Sequence, residues 1–293
     1  LKASTKAHIA VLITNFFFAT NLSLVKFISP AIVDAFGVNL FRTGISMLLF
    51  WILWAFSKKP AGIDPKDLGR FILCALTGVA LNQMLFVKGL TMTSTIHAAL
   101  LMLSTPILIS VFAIFWLREK FSGWNGLGLG LGIGGALLLI LSRDPYGIAS
   151  TKGDLLILIN AISYAIYFIL VKPLMIKYSP LHVIRWVFTL GFLLIVPFSW
   201  NDVASIEWVQ VQSSHIAALG SIVFFGTFIT YSFNTYGLKH LGAATTGSYI
   251  YTQPIFAAII SSLLLNEHFS TEKTFAALMI FGGVYLVSKK PSS

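Results

Sequence analysis

The chain has 293 residues, 57% of them hydrophobic and only 10% charged, with a formal net charge of +10. Soluble domains usually carry about 25% charged residues, so a water-soluble globule is excluded: this chain has too little polar surface to cover its apolar mass. The basic excess raises a nucleic-acid reading, which the distribution of the charges along the chain then rejects.

Ten mostly apolar stretches follow one another, at 8–27, 38–56, 69–88, 95–117, 124–142, 154–174, 183–200, 214–236, 243–265 and 273–288. A helix needs roughly 20 apolar residues to cross a hydrocarbon core about 30 Å thick. The period-two alternation of a membrane barrel strand is missing from all of them. The expected fold is an all-α membrane protein of ten transmembrane helices. The first stretch is longer than a signal-peptide core and carries no A-x-A cleavage site, so it reads as a retained helix. The third holds Cys74, the only cysteine, which leaves no intramolecular disulfide to form.

With the N-terminus placed in the cytoplasm, Lys2, Lys6, Lys58, Lys59, Lys66, Arg70, Arg118, Lys120, Lys172, Lys177, Arg185, Lys239, Lys289 and Lys290 fall on the inner side. Lys26, Lys88, Arg143, Lys152 and Lys273 fall outside, and Arg42 lies within a helix. Fourteen against five is a positive-inside bias that sets both termini in the cytoplasm. The charge therefore reports topology, and no nucleic-acid partner is expected.

In the fifth stretch, residues 130–135 (Gly-Leu-Gly-Ile-Gly-Gly) match the glycine spacing of a dinucleotide loop, but no strand precedes them. Gly126, Gly130 and Gly134 instead line one helical face, where small residues allow close backbone contact. That face is expected to pack on the tenth stretch, with its Gly282-Gly283. A monomer is expected, a dimer through this face being the alternative.

Residues 78–140 superpose on 226–288 at a constant offset of 148, without a gap. The match pairs Gly78 with Gly226, Gly89 with Gly237, Pro106 with Pro254, Glu119 with Glu267, Ser122 with Ser270 and Gly135 with Gly283. The beginnings of the halves match at an offset of 146, Phe18–Lys26 over Tyr164–Lys172, and Arg42 and Arg185 each open a second helix. Each half holds five stretches, an odd number. Residues 1–146 and 147–293 are therefore expected as two inverted five-helix repeats around a central cavity, an architecture common among secondary transporters.

The Thr20-Asn21…Lys26 opening, Arg42, and the Pro106…Glu119-Lys-Phe-Ser and Pro254…Glu267-His-Phe-Ser segments resemble the EamA-type branch of the drug/metabolite transporter superfamily. Phe18 stands where that family usually has tryptophan, and Arg118 and Asn266 stand where glycine usually precedes the glutamate. The resemblance implies a ten-helix basket in which the first, third and fourth helices of each half line the cavity.

Polar residues inside a bilayer are costly and face the bundle interior. On the helices so implied, the cavity candidates are Asn15, Phe18, Asn21, Asn82, Gln83, Phe86 and His97, then Tyr164, Tyr167, Tyr231, Asn234, Tyr249 and Gln253. Amides, hydroxyls and rings with almost no buried charge suit a neutral or zwitterionic solute with an apolar part. Pro106 and Pro254 lie within their stretches, where proline opens a helix, and are candidates for a gating kink.

Lys26, Arg42, Lys172 and Arg185 lie near helix ends, so their default reading is snorkelling to the interface, with a carboxylate or gating role as the alternative. Glu119 and Glu267 are expected to order the turns they open. No carboxylate occupies the centre of a stretch, and His97 is the one deep titratable residue. Neither a metal-ligand cluster nor a nucleotide loop appears, so no cofactor and no catalysis are expected.

The reading is a secondary transporter in a bacterial cytoplasmic membrane. It exports small organic metabolites, amino acids or similar, by alternating access. A membrane enzyme or lipid-handling protein and a passive channel remain open as alternatives.

Overall fold

The computed structural model describes residues 3–57, 62–117, 123–141, 149–266 and 270–288, among which no strand occurs. The helices are α1 (Ala3–Ile28), α2 (Ala35–Ala55), α3 (Pro65–Ala75), α4 (Leu81–Met92), α5 (Thr95–Met102), α6 (Ser104–Leu117) and α7 (Gly123–Leu141). They continue with α8 (Thr151–Lys177), α9 (Pro180–Ala204), α10 (Ser213–Val223), α11 (Thr230–Ser248), α12 (Gln253–Leu265) and α13 (Thr271–Ser288). Among the described residues seven helical runs are long and apolar enough to cross a membrane, and Thr95–Ile109 and Tyr249–Leu265 form shorter apolar runs.

Local chemistry sets the helix starts. Asp64 caps α3 by accepting from Lys66 N at 3.0 Å, with Pro65 in the first turn. Ser94 caps α5 through His97 N, and Ser150 caps α8 through Gly153 N, each at 3.1 Å. Such side chains satisfy amide donors that the first turn leaves orphaned. Beyond the caps, burial departs from that of a soluble protein in its apolar exterior and its buried polar groups. Leu48, Ile52, Leu193, Phe198, Leu263, Leu264 and Phe275 are all exposed, while Asn39, Arg185 and Ser261 are wholly buried. A belt of exposed apolar side chains around an interior that mixes apolar cores with buried polar groups is what a lipid solvent selects.

Several expectations are corrected. The third stretch is not one uniform helix: a π-helical turn, Leu76–Ala80, joins α3 to α4. A second π turn, Phe224–Ile229, joins α10 to α11, and the two begin 148 residues apart, in the register of the sequence repeat. Helix α11 also runs through the connection expected at 237–242, but the chain still doubles back there. A Cβ on Gly237 would lie 3.3 Å from Thr246 Cγ2, whereas nine residues of straight helix span about 13.5 Å. The fourth and ninth stretches are interrupted just before their prolines, at Leu103 and at a 3-10 turn, Tyr249–Thr252. Pro106 and Pro254 thus sit in the first turn of a restarted helix, the position proline tolerates best, rather than at a kink within one.

The glycine face of α7 is also corrected by one register. Gly128, Gly132 and Gly135 are buried against α13, while Gly130 faces open space. A Cβ on Gly283 would stand 2.6 Å from Gly128 O and 2.7 Å from Gly132 N, so the two backbones touch. Glycine at every second position from 126 to 134 offered two small-residue faces. The face with Gly128 and Gly132 makes the backbone contact and admits Ile107 over Gly132, while Gly134 of the expected face also meets α13, an added Cβ standing 2.8 Å from Met279 Cε.

Contacts between the two matched segments are exchanged reciprocally. A Cβ on Gly78 would strike the Tyr167 ring at 2.4 Å, and one on Gly226 would strike Asn21 Oδ1 at 2.6 Å. Asn21 and Tyr167 are themselves paired by the 146-residue offset. In the same way Gly89 packs on Ile157 and Gly237 on Val11, again a pair 146 residues apart. Helix packing follows suit: α8 lies on α4 and α6, α1 lies on α11 and α12, and α2 pairs with α9 and α7 with α13.

Candidate functional site

The helix pairs line a cavity of about 140 Å³, room for several waters and so for a small solute. Helix α1 contributes Thr14, Asn15, Phe18, Asn21 and Leu22, positions three to four residues apart that share one face. Helix α2 contributes Arg42, and α4 contributes Asn82, Gln83 and Phe86. Met102 and Thr105 flank the break between α5 and α6, while Asn160 and Tyr164 come from α8. Thr230, Tyr231, Asn234, Thr246, Ile250 and Gln253 close the wall from α11, the 3-10 turn and α12.

Interhelical hydrogen bonds hold these walls together. Gln253 Nε2 donates to Asn15 Oδ1 at 2.8 Å, and Asn15 Nδ2 donates to Val11 O at 2.7 Å. Asn82 and Asn160 exchange bonds, each amide donating to the other's backbone carbonyl at 3.3 and 2.7 Å. Asn39 Nδ2 donates to Gln83 O at 3.0 Å. Bonds of this kind in membranes average about 0.6 kcal/mol, so they fix geometry more than they add stability. The π turn matters locally: Thr227 and Thr230 Oγ1 donate to Ile222 O and Phe225 O, five residues back, where the widened turn leaves carbonyls for them. Thr227 Oγ1 also accepts from Arg42 Nε at 2.7 Å.

Ten of the thirteen expected cavity residues line this space; His97, Tyr167 and Tyr249 do not. Tyr167 lies one turn beyond Tyr164 and covers Gly78. The Tyr249 hydroxyl is 2.8 Å from His8 Nδ1, toward the start of α1. His97 lies 3.0 Å from Asp154 Oδ2, both residues buried, and Thr93 Oγ1 donates to Asp154 Oδ1. His97 is thus not the one deep titratable residue: Asp154, in the first turn of α8, is buried beside it.

The charged residues near helix ends separate into different roles. Lys26 Nζ donates to Thr93 O at 2.7 Å, and Lys172 is exposed. Arg42 and Arg185 do not reach an interface; they are 3% and 0% exposed. Helix α2 begins at Ala35, which places Arg42 two turns inside it. Arg185 is roofed by Trp54, Trp51 and Trp186, at 4.1, 4.6 and 5.9 Å from its guanidinium carbon to the ring centres. Glu119 and Glu267 lie outside the described residues. Thr14, Thr105, Thr230 and Thr246 were missed as cavity residues, although Thr14 precedes Phe18 by one helical turn, a spacing that marks it.

A polar, ring-lined chamber between reciprocally packed helices is a solute site in search of a family. The sequence matches the EamA-like transporter family twice, over residues 5–141 and 151–289. The chain belongs to that family. An uncharacterized transporter of Archaeoglobus fulgidus is 23% identical over 98% of this chain and 99% of its own length. The uncharacterized transporter YetK of Bacillus subtilis is 24% identical, over 82% of this chain and 74% of that protein. The WAT1-related protein At3g53210 of Arabidopsis thaliana is 22% identical over 96% and 85%. A solved crystal structure with 14% identity superposes with a TM-score of 0.62, over 98% of this chain and 96% of that one, and shows a shared fold. This EamA-like protein is a multi-pass membrane transporter, not an enzyme.

Proposed function

We propose that this EamA-like protein is a secondary carrier that exports small organic metabolites, amino acids or chemically similar solutes, by alternating access. It has ten spans in two inverted five-helix units, residues 1–146 and 147–293, and works in the cytoplasmic membrane of a bacterium with both termini inside. The observation that carries this reading is the polar chamber walled by helices from both units. Its wall is rich in amides and hydroxyls and includes Phe18, Phe86, Tyr164 and Tyr231. Such a surface orients a polar head through hydrogen bonds and takes an apolar part against rings.

The reciprocal contacts of Gly78 with Tyr167 and of Gly226 with Asn21 support the inverted arrangement. Two units that hold each other by equivalent contacts have two conformations of similar energy, one open to each side. The helix breaks before Pro106 and Pro254 supply the hinges, because backbone groups freed there are tolerated only where protein or a cavity satisfies them. The grouping of helix ends supports the topology. Lys26, Thr93, Ser150 and Asp154, all assigned to one side by the charge bias, meet at one corner. Asp64 and Lys177, assigned to the other side, also meet.

The test is counterflow in proteoliposomes loaded with unlabelled amino acids and related metabolites. A carrier gives saturable uptake of the labelled solute that internal solute accelerates. Flux that rises linearly with concentration, without trans-stimulation, refutes the carrier reading in favour of a channel.

A further inference from the structure

We infer that Arg42 receives a carboxylate group of the transported solute, so the substrates are organic acids or zwitterions and not organic cations. This rests on the carrier reading above and deepens it by naming the chemical class.

Three observations converge on Arg42. First, Arg42 is buried, only 3% exposed, yet it lines the chamber. Second, the guanidinium is only partly satisfied. Nε donates to Thr227 Oγ1 at 2.7 Å and the Phe86 ring lies 5.9 Å away, but Nη1 is buried without a hydrogen-bond partner. Third, among the described residues no carboxylate pairs with it. The chamber wall contains no Asp or Glu, and the ion pairs seen among the described residues involve Asp64, Asp67 and Asp154 instead.

Arg185 provides the internal comparison, because the sequence pairs it with Arg42. It too is buried, but outside the chamber, stacked on tryptophans and with Nη2 3.0 Å from His182 Nδ1. One arginine of the pair is stacked on rings away from the chamber; the other is held at the edge of a solute-sized space. A buried cation without a counter-charge is costly, and a planar two-oxygen acceptor matches its fork. On the same wall Gln83 Oε1 is buried without a donor. It offers an acceptor to an ammonium or hydroxyl on the same solute, which favours acids that carry such a donor.

The experiment measures equilibrium binding to the purified protein, by thermal shift or tryptophan fluorescence, with matched sets of compounds. Each set contains an amino acid, its deaminated acid, its carboxamide and its decarboxylated amine, over aliphatic and aromatic side chains. The expected result is that at least one acid binds on the order of 10–100-fold more tightly than its amide, the range for a charged hydrogen bond, and that the amine binds no better than the amide. Arg42→Gln is expected to abolish the preference, Arg42→Lys to keep part of it, and Thr227→Val to keep it, since the charge remains. The comparison of acid with amide in the unaltered protein needs no variant, so it stands even where Arg42→Gln fails to fold.

Amides or amines binding as tightly as their acids overturns the inference. So does a panel in which no acid binds, or an Arg42→Gln protein that still prefers acids. Acid binding without counterflow upholds the carboxylate site and refutes the carrier. Counterflow of cations alone does the reverse.

Discussion

Asp154 is the residue whose loss the structure prices most clearly. Its two oxygens satisfy two buried partners on another segment, Thr93 Oγ1 and His97 Nδ1, and the three residues are 2%, 0% and 1% exposed. Asp154→Ala leaves a hydroxyl and an imidazole nitrogen without that acceptor, each worth about 1–3 kcal/mol when buried and unsatisfied. The sum is about 2–6 kcal/mol, the same scale as breaking a buried ion pair, about 3–5 kcal/mol. Asp154→Asn keeps the shape, an oxygen for Thr93 and a donor for a neutral His97, so its cost is about 1–2 kcal/mol on the same scale. At a few degrees per kcal/mol, Asp154→Ala lowers the apparent melting temperature in detergent by on the order of 10 °C, and Asp154→Asn by about a third of that. Cys74 gives a convenient readout: it is the only cysteine and is fully buried, so a thiol-reactive dye reports its exposure on unfolding. Equal melting temperatures for Asp154→Ala and the unaltered protein would refute the reasoning, because the network would then carry no energy.

Gly283→Val should destabilise by about 1–3 kcal/mol through overpacking on the α7 backbone, while Gly130→Val, which meets nothing within 4 Å, should be silent by the same dye assay. Asn266 ends α12 with φ 53° and ψ 32°, the left-handed conformation; Asn266→Gly should be neutral or mildly stabilising and Asn266→Val should cost about 1–2 kcal/mol, measured by the same melt. Asp64 has its pKa held below the ordinary carboxylate range, first by the hydrogen bond from Lys177 and then by Lys66 N–H. Because the folded value is depressed, the bond between α3 and α8 is fully present above the unfolded value near 3.9 and is lost as pH falls through the lower, folded one. Amide exchange in the first turn of α3, corrected for intrinsic rate, should therefore quicken in acid, and Lys177→Met should move the midpoint upward; an unmoved midpoint contradicts the assignment.

What was legible in the sequence depended on how local the signal was. Apolar length and the placement of lysines and arginines carried the helical membrane fold, because a bilayer imposes them residue by residue. The two π turns around Gly78 and Gly226 were not legible, although the repeat matches these glycines, since a π turn changes neither composition nor hydropathy. The cavity face of α1 followed from Asn15, Phe18 and Asn21 at helical spacing. Arg42 was misread because distance from an interface is a tertiary quantity: the residue looks close to a helix end until α2 is seen to begin at Ala35. Asp154 was missed for a related reason. A carboxylate beside Lys152 at the start of a stretch reads as solvated, and only the approach of the Thr93–His97 corner buries it. Asn266 shows the opposite case, where a departure from the usual glycine is explained by geometry: asparagine is the other residue that enters the left-handed conformation readily.

The repeat is broken where its consequences for transport are greatest. At one end of the molecule Met92 O accepts from Ser150 N and Oγ at 3.1 and 2.6 Å, Lys26 reaches Thr93 O, and Asp154 holds Thr93 and His97. The offset of 146 places His8 opposite Asp154. Among the described residues its hydrogen bond is to Tyr249 and not to a carboxylate. Opening the first corner therefore breaks more polar contacts than opening the second. The two bonds to Asp154, at about 0.5–1.5 kcal/mol each, would bias the conformations by about 1–3 kcal/mol. On the carrier reading, the state open at the Asp154 corner should then be populated at the level of about a few per cent. Apparent affinity falls in proportion to the competent fraction, so a solute offered at the Asp154 side half-saturates at a far higher concentration than one offered at the other side. Since Asp154→Ala removes most of the bias, half-saturation constants measured from the two faces of oriented vesicles should converge in that variant. If they stay as far apart as in the unaltered protein, the asymmetry resides elsewhere and the Asp154 corner is merely structural.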